Sequence, residues 1–368
     1  MSRATDVFVI GGGPAGLAVA IAARRKGFDV TLADGAAPPI DKACGEGLLP
    51  QSLTALHSLG ISIPPEDGHP IRGIRFCHRN TQAEGRFLGS SGIGLRRVAL
   101  HARMVASAQC CGVRLLWNTC VAGISAKGVQ AGKNFVSAKW VVGADGATSR
   151  TRRWARLDRQ QVSTQRFGRR QHFEIAPWSD CMEVYWAKNF QVYVTPIGRR
   201  EICVAMLSRS PQRDIGGAIA QFPALGARLA MGRPSTPLRG AVTFTTRLSR
   251  VHRDRVTLVG DASGSVDAIT GDGLRLAFLQ ALALADAFET DDLAAYESKH
   301  REIARGPRLT ARLLLSLDGH PFLQRRTIGV LSQNPALFSR LMAAHEPKPA
   351  VSSLLGAGLH LGWRLLTA

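Results

Sequence analysis

No two cysteines in the chain stand at CxxC spacing, and the seven present (Cys44, Cys77, Cys110, Cys111, Cys120, Cys181 and Cys203) are an odd number. That pattern excludes a fully paired disulfide scaffold and a zinc site of thiolate pairs, and it fits a reduced protein of the cytoplasm. No uncharged apolar run reaches the ~18 residues that a membrane-spanning helix needs. The opening "MSRATDVFVIGGG" enters a strand at once, which leaves no room for a signal peptide. Acid is scarce: 27 Asp+Glu stand against 47 Lys+Arg, for a net charge of +20. Such an excess favours nucleic acid, acidic membrane surfaces or phosphorylated molecules. Zinc-finger spacing, an RNP1-like stretch and basic heptads are all missing, however, and the arginines sit in short scattered clusters such as "SRTRRWARLDR" (149–159). Specific nucleic-acid binding is therefore not expected. The 368 residues suffice for one large or two medium domains.

What is present begins with "DVFVIGGGPAGLAVAIAARRKGFDVTLAD". A short buried strand, Val7 to Ile10, runs into Gly11, Gly13 and Gly16 at GxGxxG spacing. A helix from about Pro14 and Ala15 to Lys26 follows, then a second strand ending on Asp34. Gly11 makes the tight turn, Gly13 lets a pyrophosphate approach the backbone, and Gly16 lets helix pack on strand. The helix N-terminus offers free N–H groups to phosphates. Asp34, 18 residues beyond Gly16, is placed to accept from ribose hydroxyls; its plainer reading is a solvated strand-end acid.

Two further segments share this logic. "WVVGADGATSRTRR" (140–153) runs a strand into Asp145, with Ser149 and Arg152 following. "RVTLVGDASGSVDAITGDGLRLAFLQALALADAF" (255–288) ends a strand on Gly260-Asp261 and starts a long helix at Gly271-Asp272-Gly273-Leu274. Together the three motifs resemble FAD-dependent oxidoreductases of the aromatic-hydroxylase type and their relatives the geranylgeranyl reductases, over about residues 5–290. The resemblance implies that Gly260-Asp261 bonds the flavin ribityl chain and that the helix N-terminus at Gly271–Leu274 faces the pyrimidine end of the ring, where reduced flavin carries negative charge. It places Asp145 in a cofactor-serving motif, although a strand-end turn former is the alternative. It also places Arg97, with Arg96 as the other candidate, near the pyrophosphate, and Val121 where a backbone group meets adenine. The loop "DKACGEGLLP" (41–50) matches the K-x-C-G-G-G-L cradle of geranylgeranyl reductases, so Lys42, Cys44, Gly45, Glu46, Gly47 and Leu48 are expected around the isoalloxazine. Gly45 and Gly47 let backbone approach a flat ring. Cys44 has no nearby cysteine for a redox disulfide and no partners for a metal, and it reads as a packed loop residue.

The implied fold is α/β: a Rossmann-like, glutathione-reductase-like FAD domain (1–164 and 250–292, with 70–92 contributing to the substrate domain), an inserted antiparallel-sheet substrate domain (165–249) and a helical C-terminal region (293–368). Alternating segments such as "FGRRQHFEI", "CMEVYWAK" and "FQVYVTPIGRREICVAML", with "IRGIRFCHR", supply the antiparallel sheet. His172, Tyr185, Trp186 and Tyr193 are candidates to line its pocket. Cys44, His172 and Tyr193 are the weak catalytic candidates, and no acid or base is assigned.

The leading expectation is NAD(P)H-dependent monooxygenation of a hydrophobic or phenolic small molecule; alkene reduction of the geranylgeranyl type comes next. No second GxGxxG serves the nicotinamide, which such hydroxylases bind transiently. Ala268 stands where hydroxylases carry proline before the glycine turn. The absence of W-x-W puts halogenation third, and a flavin-free binding protein, like Rab escort proteins, comes last. The Arg- and Leu-rich C-terminal section and the apolar tail 351–368 suggest peripheral contact with an anionic membrane, against the plainer reading of a helical cap.

Overall fold

The computed structural model describes residues 4–343, with backbone alone at 160–163. Strand β1 (Ala4–Ile10) passes through the glycine turn into helix α1 (Pro14–Arg25) and returns as β2 (Val30–Ala33), parallel to β1. Val7, Phe8 and Val9 are fully buried, as a parallel strand covered on both faces requires. Pro14 sits at the first helical position, where its missing N–H costs nothing. After helix α2 (Pro50–Ser58) and the hairpin β3 (Gly73–His78) and β4 (Thr81–Arg86) comes α3 (Arg97–Cys110), which leads to β5 (Arg114–Leu116) beside β2. The long β6 (Asn134–Gly143) then pairs parallel to β1 on its other side, followed by the short α4 (Arg150–Trp154).

The second sheet is built from β7 (Gln160–Glu174), β8 (Cys181–Ala187), β9 (Phe190–Gly198) and β10 (Glu201–Ser208), with α5 (Ile215–Ile219) and α6 (Pro223–Leu229) after them and β11 (Arg239–Leu248) returning against β7. Then β12 (Val256–Leu258) joins the first sheet beside β6, and α7 (Gly273–Glu289), α8 (Leu293–Asp318), α9 (Pro321–Gln333) and α10 (Pro335–Met342) complete the described chain. The tail 351–368, expected as a core or interfacial helix, lies outside the described residues. No described helix is long and apolar enough to cross a membrane.

Two topological facts position the site. The first sheet has a parallel core, β12–β6–β1–β2–β5, to which the hairpin of Val121–Ser125 and Gly128–Ala131 and the short strand His252–Arg253 add antiparallel pairings, so the chain leaves β1 toward β2 and later returns on the opposite side as β6. The crevice at the carboxyl ends of β1 and β6 is thus a switch point, the place where open α/β sheets take ligands. The second sheet runs β7–β10–β9–β8–β3–β4 and is antiparallel except between β8 and β3, which pair in parallel. The expectation of a wholly antiparallel sheet is corrected there, because β3 arrives from the first domain while β8 belongs to the meander.

The faces of the second sheet differ sharply. One face packs Val192, Val194, Ile202, Val204 and Met206 beneath α5 and α6. The opposite face turns Val184 and Trp186 toward α9, α10 and Ile269, and carries Arg166, Arg170 and His172 at its β7 end. Tyr185 points away from that second face: its ring lies 5.3 Å from Phe222 and its hydroxyl donates to Glu183. It leaves the pocket-lining set because strand alternation puts it opposite its neighbours Val184 and Trp186.

Candidate cofactor site

Each glycine of the first turn faces a different constraint. Gly11 has φ 112°, and a Cβ there would lie 2.5 Å from Ala144 O. A Cβ on Gly16 would lie 1.8 Å from Gly11 O, so α1 packs directly on the turn. Gly13 borders open space, and α1 begins there with no side-chain cap and no acid in its first turn. The helix end thus presents free N–H groups and partial positive charge, which suits an anion in geometry and in field. Asp34 braces the turn, its carboxylate accepting from Gly12 N at 2.6 Å and Ala36 N at 2.7 Å.

Sequence reasoning passed over His101. It is wholly buried on α3, with Nε2 2.8 Å from Gly12 O, and Nδ1 accepts from Ile40 N. Burial lowers its pKa, which suits the neutral ring that this donor–acceptor pair requires. Its place one residue after the inward Leu100 was the available signal.

Asp145 turns inward. Its carboxylate accepts from Ser149 Oγ at 2.5 Å and from the N–H groups of Arg150 and Thr151 at 2.8 and 3.0 Å, capping α4. Arg152, buried, donates to Ala147 O and Ala262 O and so ties α4 to the Gly260–Ser263 turn. The motif acts on the site by clamping two loops together. Val121 packs its side chain into the apolar layer under β1 and β2.

The Gly260-Asp261 turn lies against α1: a Cβ on Gly260 would sit 2.7 Å from Ala15 Cβ. Asp261 reaches Lys42 Nζ at 3.3 Å, joining this turn to the cradle loop. From behind, Gln280 Oε1 accepts from Gly260 N, while Ser263 Oγ donates to Gly260 O and faces His300 Nε2 at 2.9 Å. Burial pushes the His300 pKa down from 6.5 to about 4. The unfolded chain protonates below pH 6.5 and the folded chain resists until about pH 4. Stability is therefore complete above pH 6.5 and falls through that window, by about 3 kcal/mol. A His300→Gln variant should lose less stability than wild type between pH 7 and pH 4.5 in urea unfolding; equal losses would remove His300 as the cause.

Gly271 is left-handed (φ 70°), and both it and Gly273, the first residue of α7, border open space. Asp272 turns its carboxylate to Arg275 rather than capping α7, whose first N–H groups stay free of side-chain partners. The Ala268–Thr270 turn before it is capped by Asp267, which accepts from Ile269 N.

The cradle loop is pinned to the charged end of the second sheet. Asp41 bonds Arg170 at 2.6 Å and Arg239 at 2.7 Å; Gly45 O accepts from Thr195 Oγ1 at 2.7 Å; Cys44 O accepts from Cys203 Sγ. Glu46 adopts φ 58°, a left-handed conformation that strains a residue with a Cβ. Its buried carboxylate accepts from Arg97 N at 2.9 Å and meets His172 Nε2 at 2.6 Å, while His172 Nδ1 faces Thr236 Oγ1. Glu46, His172 and Cys203 present donors within 4.8 Å of one another, but the Arg170 guanidinium lies 3.1 and 3.3 Å from the two ring nitrogens. A cation would face that fixed positive charge, so the cluster works as a hydrogen-bonded pin. Cys44 Sγ accepts from Glu46 N, and all seven cysteines are free thiols.

Of the two candidate arginines, Arg96 is bound to Glu201, whereas Arg97 has a buried Nε with no partner among the described residues. Tyr193 lies near the glycine turn, its hydroxyl 3.4 Å from Ile269 O, and burial raises its pKa so that it keeps its proton. Residues 166, 170 and 172, spaced by twos and fours along β7, share one face; this alternation was the signal for the charged end.

Open backbone at Gly13, Gly45, Gly271 and Gly273, two uncapped helix ends and an Arg97 Nε without a hydrogen-bond partner among the described residues fit a dinucleotide with a pyrophosphate and a flat ring. The fold and this cradle define an FAD-dependent oxidoreductase. The chain belongs to the family described as FAD binding domain, whose model matches residues 4–291. It is 28% identical to a menaquinone reductase of Mycobacterium tuberculosis, across 90% of this chain and 84% of that protein. It is 27% identical to digeranylgeranylglycerophospholipid reductase 1 of Methanopyrus kandleri, across 85% of this chain and 91% of that one. A geranylgeranyl bacteriochlorophyll reductase-like protein from Thermoplasma acidophilum shares the fold, with TM-score 0.80, 18% identity, and coverage of 100% of this chain and 98% of that chain.

Proposed function

We propose that this flavoenzyme reduces a carbon–carbon double bond in a lipid-soluble, isoprenoid-bearing molecule, with NAD(P)H as electron donor. The observation that carries the reading is the charge state of the substrate face. Arg166 and Arg170 pair with protein carboxylates (Asp267 and Asp318, and Asp41), and His172 is hydrogen-bonded to Glu46, so each of the three side chains is engaged within the protein rather than held out toward an acidic substrate. Beside them the face turns apolar, with Met182, Val184, Trp186, Leu49 and Ile269 gathered under the C-terminal helices. The relatives named for geranylgeranyl lipids and for a quinone support the same class.

FAD supplies two-electron chemistry when bound. In this reading Gly11–Gly16, the α1 N-terminus and Arg97 would hold its pyrophosphate, Asp34 would serve its ribose while bracing the turn, Asp261 would serve its ribityl chain, and the Gly45–Leu48 backbone would cradle its ring. The α7 N-terminus at Gly271–Leu274 stabilises negative charge at its far end. The Glu46–His172, Gly45–Thr195 and Asp41–Arg170 bonds fix the distance between the cradle and the second sheet, which would let a bound alkene be held in one orientation.

The test is anaerobic. Protein with its flavin chemically reduced is mixed with a geranylgeranyl alkene in detergent, and flavin absorbance and product mass are followed. Return of the oxidised spectrum with a product richer by one pair of hydrogens is expected. Flavin that stays reduced until air is admitted, with labelled oxygen then found in a hydroxylated product, would replace this reading with monooxygenation.

A further inference from the structure

The corner between α8 and α9 is unlike the rest of the surface. Leu309 and Leu313, one turn apart on α8, are 60% and 62% exposed, and Phe322 at the start of α9 is 66% exposed. Arginine is dense in the same stretch of chain. Residues 303–342 hold six arginines (305, 308, 312, 325, 326 and 340), no lysine, and a single acid, Asp318. That acid is fully buried and already paired with Arg166 and Arg209. Among the described residues none of the six arginines has an ion-pair partner, and Arg326 lies over the Phe322 ring. Arg308 is approached by Arg247 and Arg312, and burial together with these like charges lowers its pKa. A cluster of guanidinium groups with no counter-charge, interleaved with projecting Leu and Phe side chains, matches an interface carrying both negative headgroups and hydrocarbon. A nucleic acid would satisfy the arginines and leave Leu309 and Leu313 in water.

We infer that the α8–α9 corner, centred on Leu309, Leu313 and Phe322 and carrying Arg305, Arg312 and Arg325, docks the enzyme on an anionic phospholipid surface. This rests on the reading of a lipid-soluble substrate and adds a route for it. The same turns of α8 send Leu314 and Leu317 inward to the cluster that holds Ile269 and Tyr193. One helix thickness, about 10 Å, thus separates the docking face from the apolar wall of the site.

The experiment uses full-length, FAD-loaded protein and co-sedimentation with vesicles of pure phosphatidylcholine or of phosphatidylcholine mixed with phosphatidylglycerol. Binding is expected to the mixed vesicles alone and to weaken with added salt. The triple variants L309S/L313S/F322S and R305S/R312S/R325S should each bind at least about tenfold more weakly. Both should retain flavin and wild-type turnover of a short, detergent-dispersed alkene. Failure of the wild type to bind mixed vesicles, unchanged binding by the variants, or retention on duplex DNA but not on vesicles would overturn the assignment. Vesicle binding that follows these expectations while no alkene is turned over would leave the docking face standing and reject the reaction.

Discussion

A Gly16→Val protein should purify without its yellow colour. The added Cβ alone would stand 1.8 Å from Gly11 O, 3.0 Å from Gly11 C and 3.2 Å from Ala144 Cβ. Two of these three atoms are backbone, and the third is a methyl fixed to the turn at the end of β6, so no flexible side chain can swing aside. Helix α1 must move off the turn, carrying its free N–H groups out of reach of the pyrophosphate. Overpacking of this kind costs about 1–3 kcal/mol, occasionally more, and FAD affinity should fall at least about a hundredfold, which is about 2.7 kcal/mol. Flavin content per protein, by absorbance after gel filtration, is the measurement. Gly13→Ala is the informative contrast, because its Cβ meets no protein atom within 4 Å. It should preserve the melting temperature of flavin-free protein and still weaken FAD binding, since it fills space meant for ligand. A Gly16→Val protein that stays yellow and melts like wild type would show that α1 does not depend on this contact.

Arg166→Met should be the most destabilising single change on the second sheet. The arginine is 1% exposed, between Asp267 and Asp318, both wholly buried, with N···O distances of 3.5 and 3.2 Å. Methionine fills much of the volume but leaves two carboxylates in the interior without their shared cation, and breaking such a group costs about 3–5 kcal/mol. Partial relief exists: Gln191 and Arg209 also serve Asp318, and Thr164 and Thr245 hydroxyls serve Asp267. The double variant Arg166→Met/Asp318→Asn should therefore recover part of the loss in urea unfolding. Because Asp267 caps the turn leading to Gly271, FAD should also bind more weakly in Arg166→Met. A shift below about 1 kcal/mol, within the range of ordinary surface changes, would mean that the buried triad is not coupled in this way.

The cofactor side of the molecule was readable in the sequence because its geometry is written in residue types. A left-handed turn, a helix packed on backbone and an open approach each demand glycine, and Gly11, Gly13, Gly16, Gly260 and Gly271 stand at those places. The pins on the cradle were not readable. Arg170 and Asp41 are 129 residues apart and Glu46 and His172 are 126 apart, and neither residue type announces its partner. Strand alternation separated Tyr185 from Trp186 without saying which face meets the flavin. It is equally silent on strand direction, so the parallel pairing of β3 with β8 had no sequence signal. Asp145 shows a different limit: its motif was recognised, but only the coordinates reveal that its oxygens cap α4.

The central position of β1 carries a consequence for how the protein is made. On the ribosome, β1 and β2 emerge long before β6, so one flank of β1 must wait, and the Gly260–Gly273 loops that finish the crevice come after the whole second sheet has been synthesised. Through that interval the nascent chain carries an unpaired parallel strand edge, the kind of surface that misassociates most readily. The flavin crevice is complete only once the Gly260–Gly273 loops have been made. A cell short of riboflavin would then meet this protein as a folding problem before it met it as a missing activity.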